Sequence, residues 1–300
     1  MLHGLRFYIL DVFAESKLSG NQLAVFRDCG GLSSDQMQKI AQEMHFSETT
    51  FVTSENQKNG GYDVRIFTPS SELPFAGHPT LGTAYILQSV IIRKQLETVT
   101  LNLKVGQIQV SFSYSGGMPG LLWMRQKPPS FGDTFDRKGF AQILGLDADD
   151  FDQDYPIMKV STGIPFAIVP LKGLKAVRGV HVNNSSLREF LKKKGCVGLL
   201  IFSRQTYNKE NQLNVRVLGP ADEIPEDPAT GSGNGCLAGY LIKTGYFSGD
   251  SINLRVEQGY EIGRKSLILL RANRSGGKLE VNVGGRVQLI ASGEFSASLI

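Results

Sequence analysis

The chain has 300 residues, a net charge of +4, 41% hydrophobic and 20% charged residues, values ordinary for a soluble globular protein large enough for two domains. No run approaches the roughly 20 apolar residues of a membrane span, and Arg6 and Asp11 interrupt the first apolar stretch, so no secretory signal is read there. Three widely spaced cysteines (Cys29, Cys196, Cys236) and four scattered histidines (His3, His45, His78, His181) argue against a disulfide scaffold and a zinc site, and point to a cytoplasmic protein without a metal.

Along the chain, residues 6–13 ("RFYILDVF") and 23–26 ("LAVF") read as strands. Ser33 or Ser34 then caps an amphipathic helix with Met37, Ile40, Ala41 and Met44 on one face, followed by a strand over 49–52. A glycine turn at "FAGHPT" leads into a helix over Leu81–Val90, apolar on most faces and therefore buried. Strands follow at 98–114 and 121–126, and "KPPSFGDTF" (127–135), with two prolines and little periodicity, reads as a linker. Beyond it come strands at 157–162 and 165–171, a helix capped by Ser185 or Ser186, a strand at 197–202, a second glycine turn at "ATGSGNG", a helix over Cys236–Lys243, and strands at 252–259, 266–274 and 278–285. The basic run Lys192-Lys193-Lys194 closes a helix, where the dipole favours it, and lacks the aromatic context of a nucleic-acid surface.

The chain repeats itself. "VRIFTPSSELP" (64–74) and "VRVLGPADEIP" (215–225) share Val, Arg, Pro, Glu and Pro, and a helix–strand unit precedes each at nearly the same spacing. After three extra residues in the second copy, Gly77 falls opposite Gly231 and His78 opposite Ser232. The expected fold class is α+β, with two pseudo-symmetric domains, each a β-barrel-like sheet wrapped around a central helix. The halves are 1–128 and 129–300, the last strand packing back on the first half.

Both glycine turns open helices whose first amides lack intrahelical acceptors and so favour an anion such as a carboxylate. "GSGNGC" is not a dinucleotide fingerprint and no P-loop lysine follows, so a nucleotide is not expected. His78 at a helix N-terminus has its cationic form disfavoured. Asp227, held extended before Pro228, sits at the same kind of turn and by itself reads first as an N-cap or Asx-turn residue. Glu48, between Phe46 and Phe51, is placed near apolar groups that raise a carboxyl pKa, or else is a capping or exposed strand residue.

Taken together, "DVFAESKLSGNQLAVF", "SETTFV", "VRIFTPSSELPFAGHPTLGTAYIL", "EDPATGSGNGCLAGYL" and "VEQGYEIGRKSLIL" resemble the PhzF-like phenazine-biosynthesis isomerase family, within the diaminopimelate-epimerase fold. Lys265 stands where that family often has proline, and Gly233 where it usually has alanine. The resemblance implies a homodimer without cofactor or metal, with the active site in the cleft between two similar domains. It implies proton transfer on a substrate like trans-2,3-dihydro-3-hydroxyanthranilate. Glu48 would be the general acid/base, His78 and Asp227 would orient or polarise the substrate, and Gly77, Gly231 and Ser232 would bind its carboxylate. Related racemases use two cysteines at the helix N-termini. Here His78 and Ser232 occupy those places, which disfavours a two-thiol mechanism. The competing readings are an epimerase or racemase of an amino-acid-like substrate and a non-catalytic carboxylate-binding protein.

Overall fold

A computed structural model describes residues 4–220 and 225–296. His3 and residues 221–224 of the second repeat copy lie outside the described residues. The fold is mixed, mostly strand with few helices, and divides into two compact units, Met1–Arg125 with Gly284–Ile300 and Gln126–Val283.

The first unit contains β1 (Leu5–Val12), β2 (Asn21–Phe26), α1 (Ser34–Met44), β3 (Glu48–Val52), β4 (Tyr62–Phe67), the two-residue β5 (Glu72–Leu73), α2 (Gly77–Ile86), β6 (Thr98–Leu103), β7 (Gly106–Ser115) and β8 (Met118–Arg125). The chain's last strand, Val287–Phe295, pairs with β1. From that strand the sheet runs β1, β2, β3, β4, β6, β7, β8, with β2/β3 and β4/β6 parallel. All ten residues of α2 are buried, and strands β1, β2, β3, β6, β7 and β8 surround it. A helix apolar all round can be stable only when enclosed in this way. On the outer face, α1 lays Met37, Ile40 and Ala41 against Phe26, Phe51 and Phe67, each ring worth about 1.5–3 kcal/mol on burial.

The second unit contains β9 (Ser130–Phe135), α3 (Arg137–Leu144), β10 (Ile157–Ser161), β11 (Pro165–Pro170), the short α4 (Leu174–Arg178), α5 (Asn184–Lys194), β12 (Gly198–Ser203), β13 (Leu213–Leu218), β14 (Glu226–Asp227), α6 (Gly231–Thr244), β15 (Ser251–Gln258), β16 (Ser266–Ser275) and β17 (Lys278–Gly285). Its strands run β9, β10, β11, β12, β13, β15, β16, with β11/β12 and β13/β15 parallel. Gly231–Ile242 of α6 are all buried, and α3 and α5 cover the outer face of β11 and β12.

Four sequence readings are corrected. The linker at 127–135 is mostly strand, because Ser130–Phe135 pairs with β10 despite its weak alternation. Both central helices begin at their glycines, Gly77 and Gly231, rather than a turn or more later at Leu81 and Cys236. Glycine and proline mask the first turn in any propensity reading, yet burial makes propensity secondary. The run 98–114 is two strands joined by a tight turn at Lys104-Val105. The cap of α5 is Asn183, whose side chain accepts from the Ser186 amide, while α1 is capped by Ser33 in a capping box with Gln36. Among the described residues no helix is long and apolar enough to cross a membrane.

Candidate active site

In the first unit, Glu48 is the opening residue of β3 and His78 the second residue of α2. Strand side chains alternate, so Glu48 and Thr50 share one face of β3, and Phe51 joins the α1 core on the other. Thr50 Oγ1 meets Thr83 Oγ1 of α2 at 2.8 Å. Two strand residues advance about 6.6 Å and five helical residues about 7.5 Å. One step along the same strand and helix, His78 Nε2 lies 3.4 Å from Glu48 Oε2. The Glu48 side chain remains 14% exposed and that of His78 5%.

Burial pushes the His78 pKa down to about 3, against a weaker opposing hydrogen bond to the Gln22 backbone. The ring is therefore neutral near pH 7. Asn21, which opens β2, sets its Nδ2 3.3 Å from His78 Nδ1. Asn21 and the Gln22 backbone together hold the ring in place. The cap of α2 is Ala76, which has no capping side chain, so the first-turn amides of Gly77 and His78 are left to water or a ligand.

In the second unit, Asp227 lies on β14 paired with Val217, and Gly231 and Ser232 open α6. Thr230 holds the N-cap position, but its side chain does not cap the helix. Its hydroxyl donates instead to Asp227 Oδ2. Ser232 is buried. The structure thus brings Glu48, His78 and Gly77 together in one unit, and Asp227, Gly231 and Ser232 together in the other. Sequence reading missed Asn21, Thr230 and Gln258, whose buried side chains contact these residues. Each lies inside a quoted motif, but nothing in the string shows its contact, and Asn21 and Gln258 reach partners 57 and 31 residues away.

The repeat also needs a new register. Arg65 Nε and Nη2 reach Glu72 Oε1 and Oε2 at 2.8 and 2.7 Å. Arg216 makes the same fork with Glu226, at 3.0 and 2.8 Å. Glu72 and Pro74 therefore correspond to Glu226 and Pro228, not to Glu223 and Pro225. The three extra residues precede the glutamate, and Asp227 stands where the first unit has Leu73.

All three cysteines are buried; burial pushes Cys29 up to about 12 and Cys236 to about 11, so neither is a ready thiolate. Among the described residues no group of three or more His, Cys, Asp or Glu side chains is disposed to hold a metal.

Residues 10–293 match the model of the family described as phenazine biosynthesis-like protein. The chain belongs to that family. It is 33% identical to the trans-2,3-dihydro-3-hydroxyanthranilate isomerase of Pseudomonas aeruginosa over 96% of this chain and 98% of that one. It is 32% identical to an uncharacterized isomerase of Mesorhizobium japonicum, over 97% and 98%. The PhzF-family phenazine biosynthesis protein of Bacillus anthracis superposes with a TM-score of 0.89 at 26% identity, covering 97% of this chain and 99% of that one. Like its relatives in the phenazine biosynthesis-like family, the chain is an isomerase.

Proposed function

We propose that the protein isomerises a small carboxylated substrate, of the kind of trans-2,3-dihydro-3-hydroxyanthranilate, by proton transfer through Glu48 without a cofactor. The observation that carries this reading is the pairing of a partly exposed carboxylate with a buried, neutral His78 at the uncapped start of α2. In the forward step the Glu48 carboxylate takes a proton from one substrate carbon, and the C–H electron pair moves into the conjugated system. The Glu48 carboxylic acid then returns the proton to a second carbon. A neutral imidazole can donate to or accept from a reacting group without adding charge.

Gly77, Gly231 and Ser232 are assigned to the substrate carboxylate through helix-start amides and hydroxyl, and Asp227 to its amino group. We also infer that the two units descend from a duplication, supported by their common element order and the matched forks Arg65–Glu72 and Arg216–Glu226. The active form is assigned as a homodimer.

The test is proton exchange in deuterated water with trans-2,3-dihydro-3-hydroxyanthranilate. Wild type is expected to form the rearranged product, and Glu48→Gln to lose about 10²–10⁴-fold in kcat, the range for loss of a general acid/base. A wild type that neither turns over nor exchanges a carbon-bound proton of this compound overturns the substrate assignment. A fully active Glu48→Gln overturns the role of Glu48. Product chirality separates isomerisation from epimerisation.

A further inference from the structure

We infer that Thr230 and Gln258 are positioning residues that orient and electrostatically tune Asp227, an inference that rests on the substrate-binding role proposed for Asp227. Gln258 closes β15 and is fully buried. Its Nε2 donates to the Asp227 backbone carbonyl at 2.7 Å and to Thr230 Oγ1 at 3.1 Å. Its Oε1 accepts from the Thr230 amide at 3.3 Å and from Asn234 Nδ2 at 2.9 Å. Both ends of the amide are used, so its orientation is fixed. Thr230 Oγ1 accepts from Gln258 and donates its own hydrogen bond to Asp227 Oδ2. The chain Gln258–Thr230–Asp227 thus runs in one donor direction, ending on the carboxylate.

The first unit shows that the fold does not need this network. In register, β13 pairs with β15 as β4 pairs with β6: Asn214 faces Glu257 where Asp63 faces Asn102. Asp227, Thr230 and Gln258 accordingly stand where the first unit has Leu73, Ala76 and Leu103. That unit builds the same glycine turn and the same enclosed helix with apolar side chains. Three linked positions are polar together in one unit and apolar together in the other. Thr230 even forgoes capping its own helix, worth about 1 kcal/mol for such a residue, to bond the carboxylate. Gly259, next along the chain, fixes the approach. Its φ is +76°, and a Cβ there would lie 2.7 Å from the Pro228 carbonyl, so β15 leaves the network tight against the Asp227 turn.

The two acidic residues beside the network on β14 and β15, Glu226 and Glu257, have partners of their own. Glu226 on β14 is forked to Arg216 of β13. Glu257 of β15 is buried and accepts from the amides of Tyr207 and Asn208 and from Asn211 and Asn214.

The experiment is a carbon-13 carboxyl titration of Asp227 in the intact protein, which needs no substrate. Thr230→Val is expected to raise the Asp227 midpoint by about one unit, the size of losing one hydrogen bond to a charged oxygen. Thr230→Ser, which keeps the hydroxyl, is expected to leave it near wild type. Gln258→Leu, which copies Leu103, is expected to shift it in the same direction as Thr230→Val. An unmoved midpoint in folded Thr230→Val overturns the inference. Because Thr230→Ala copies Ala76, failure of both it and Thr230→Val to fold also overturns it, by making the hydroxyl a requirement of the fold. Failure of the underlying reading has a different signature: Asp227→Asn turning over substrate like wild type.

Discussion

The two units build the same turn and put different chemistry on it. In each, an arginine on a central strand forks a glutamate on a two-residue strand, and a glycine then opens a buried helix. In the first unit the helix start carries His78 and faces Glu48. In the second it carries Ser232, and the strand residue equivalent to Glu48 is Gly198, which opens β12 as Glu48 opens β3. A Cβ at Gly198 would lie 2.9 Å from the Leu218 carbonyl, so the second unit has no room for an acid there. It carries its carboxylate on β14 instead, as Asp227. The shared parts hold the turn, and the differing parts place a carboxylate near it by two different strands.

Removing the shared fork should have the largest effect and should be unequal between the units. The Arg216 and Glu226 side chains are 11% and 9% exposed, against 27% and 14% for Arg65 and Glu72, and Lys104 also reaches Glu72. Arg216→Ala should cost about 3–5 kcal/mol, as for a buried pair broken on one side. Arg65→Ala should cost about 1–2 kcal/mol, because water and Lys104 compensate Glu72. Urea unfolding measures both, and equal losses would contradict the difference in burial. Gly198→Ala should cost about 2 kcal/mol, since the added methyl meets a backbone carbonyl that cannot swing away.

The acid limb tests His78. Its folded pKa lies near 3 and its unfolded value near 6.5, so between those pH values the unfolded chain binds the extra proton. Stability from this group is complete above pH 6.5 and is lost as pH falls through the window, with a slope of at most about 1.4 kcal/mol per pH unit for one proton. His78→Asn should flatten that limb, and an unchanged slope in equilibrium unfolding would place the protonation elsewhere. The smallest effect belongs to the Thr50–Thr83 contact. Thr50→Val should cost about 1 kcal/mol by stranding Thr83 Oγ1, and Thr50→Val with Thr83→Val should recover most of it. Additive losses would show that the two hydroxyls do not act as a pair.

Local sequence determined a good deal. The amphipathic period of α1, the apolar runs of β1, β2 and β11, and the all-apolar stretches that must become enclosed helices were legible because burial imposes period and composition over short spans. The glycine turns and Glu48, His78 and Asp227 stood out through residue type and their place beside those turns. Tertiary structure decided the rest. The repeat's true register came from which glutamate each arginine forks, since identical letters at 223 and 225 outweighed the correct pair at 226 and 228 in any linear comparison. Glu48 meets His78 only because folding lays α2 alongside β3, thirty residues away in sequence. Gln258 could not be read as Asp227's support, because a buried amide has no sequence signature until the strand that carries it is paired. Its meaning depends on donors and acceptors that folding alone brings within hydrogen-bond distance.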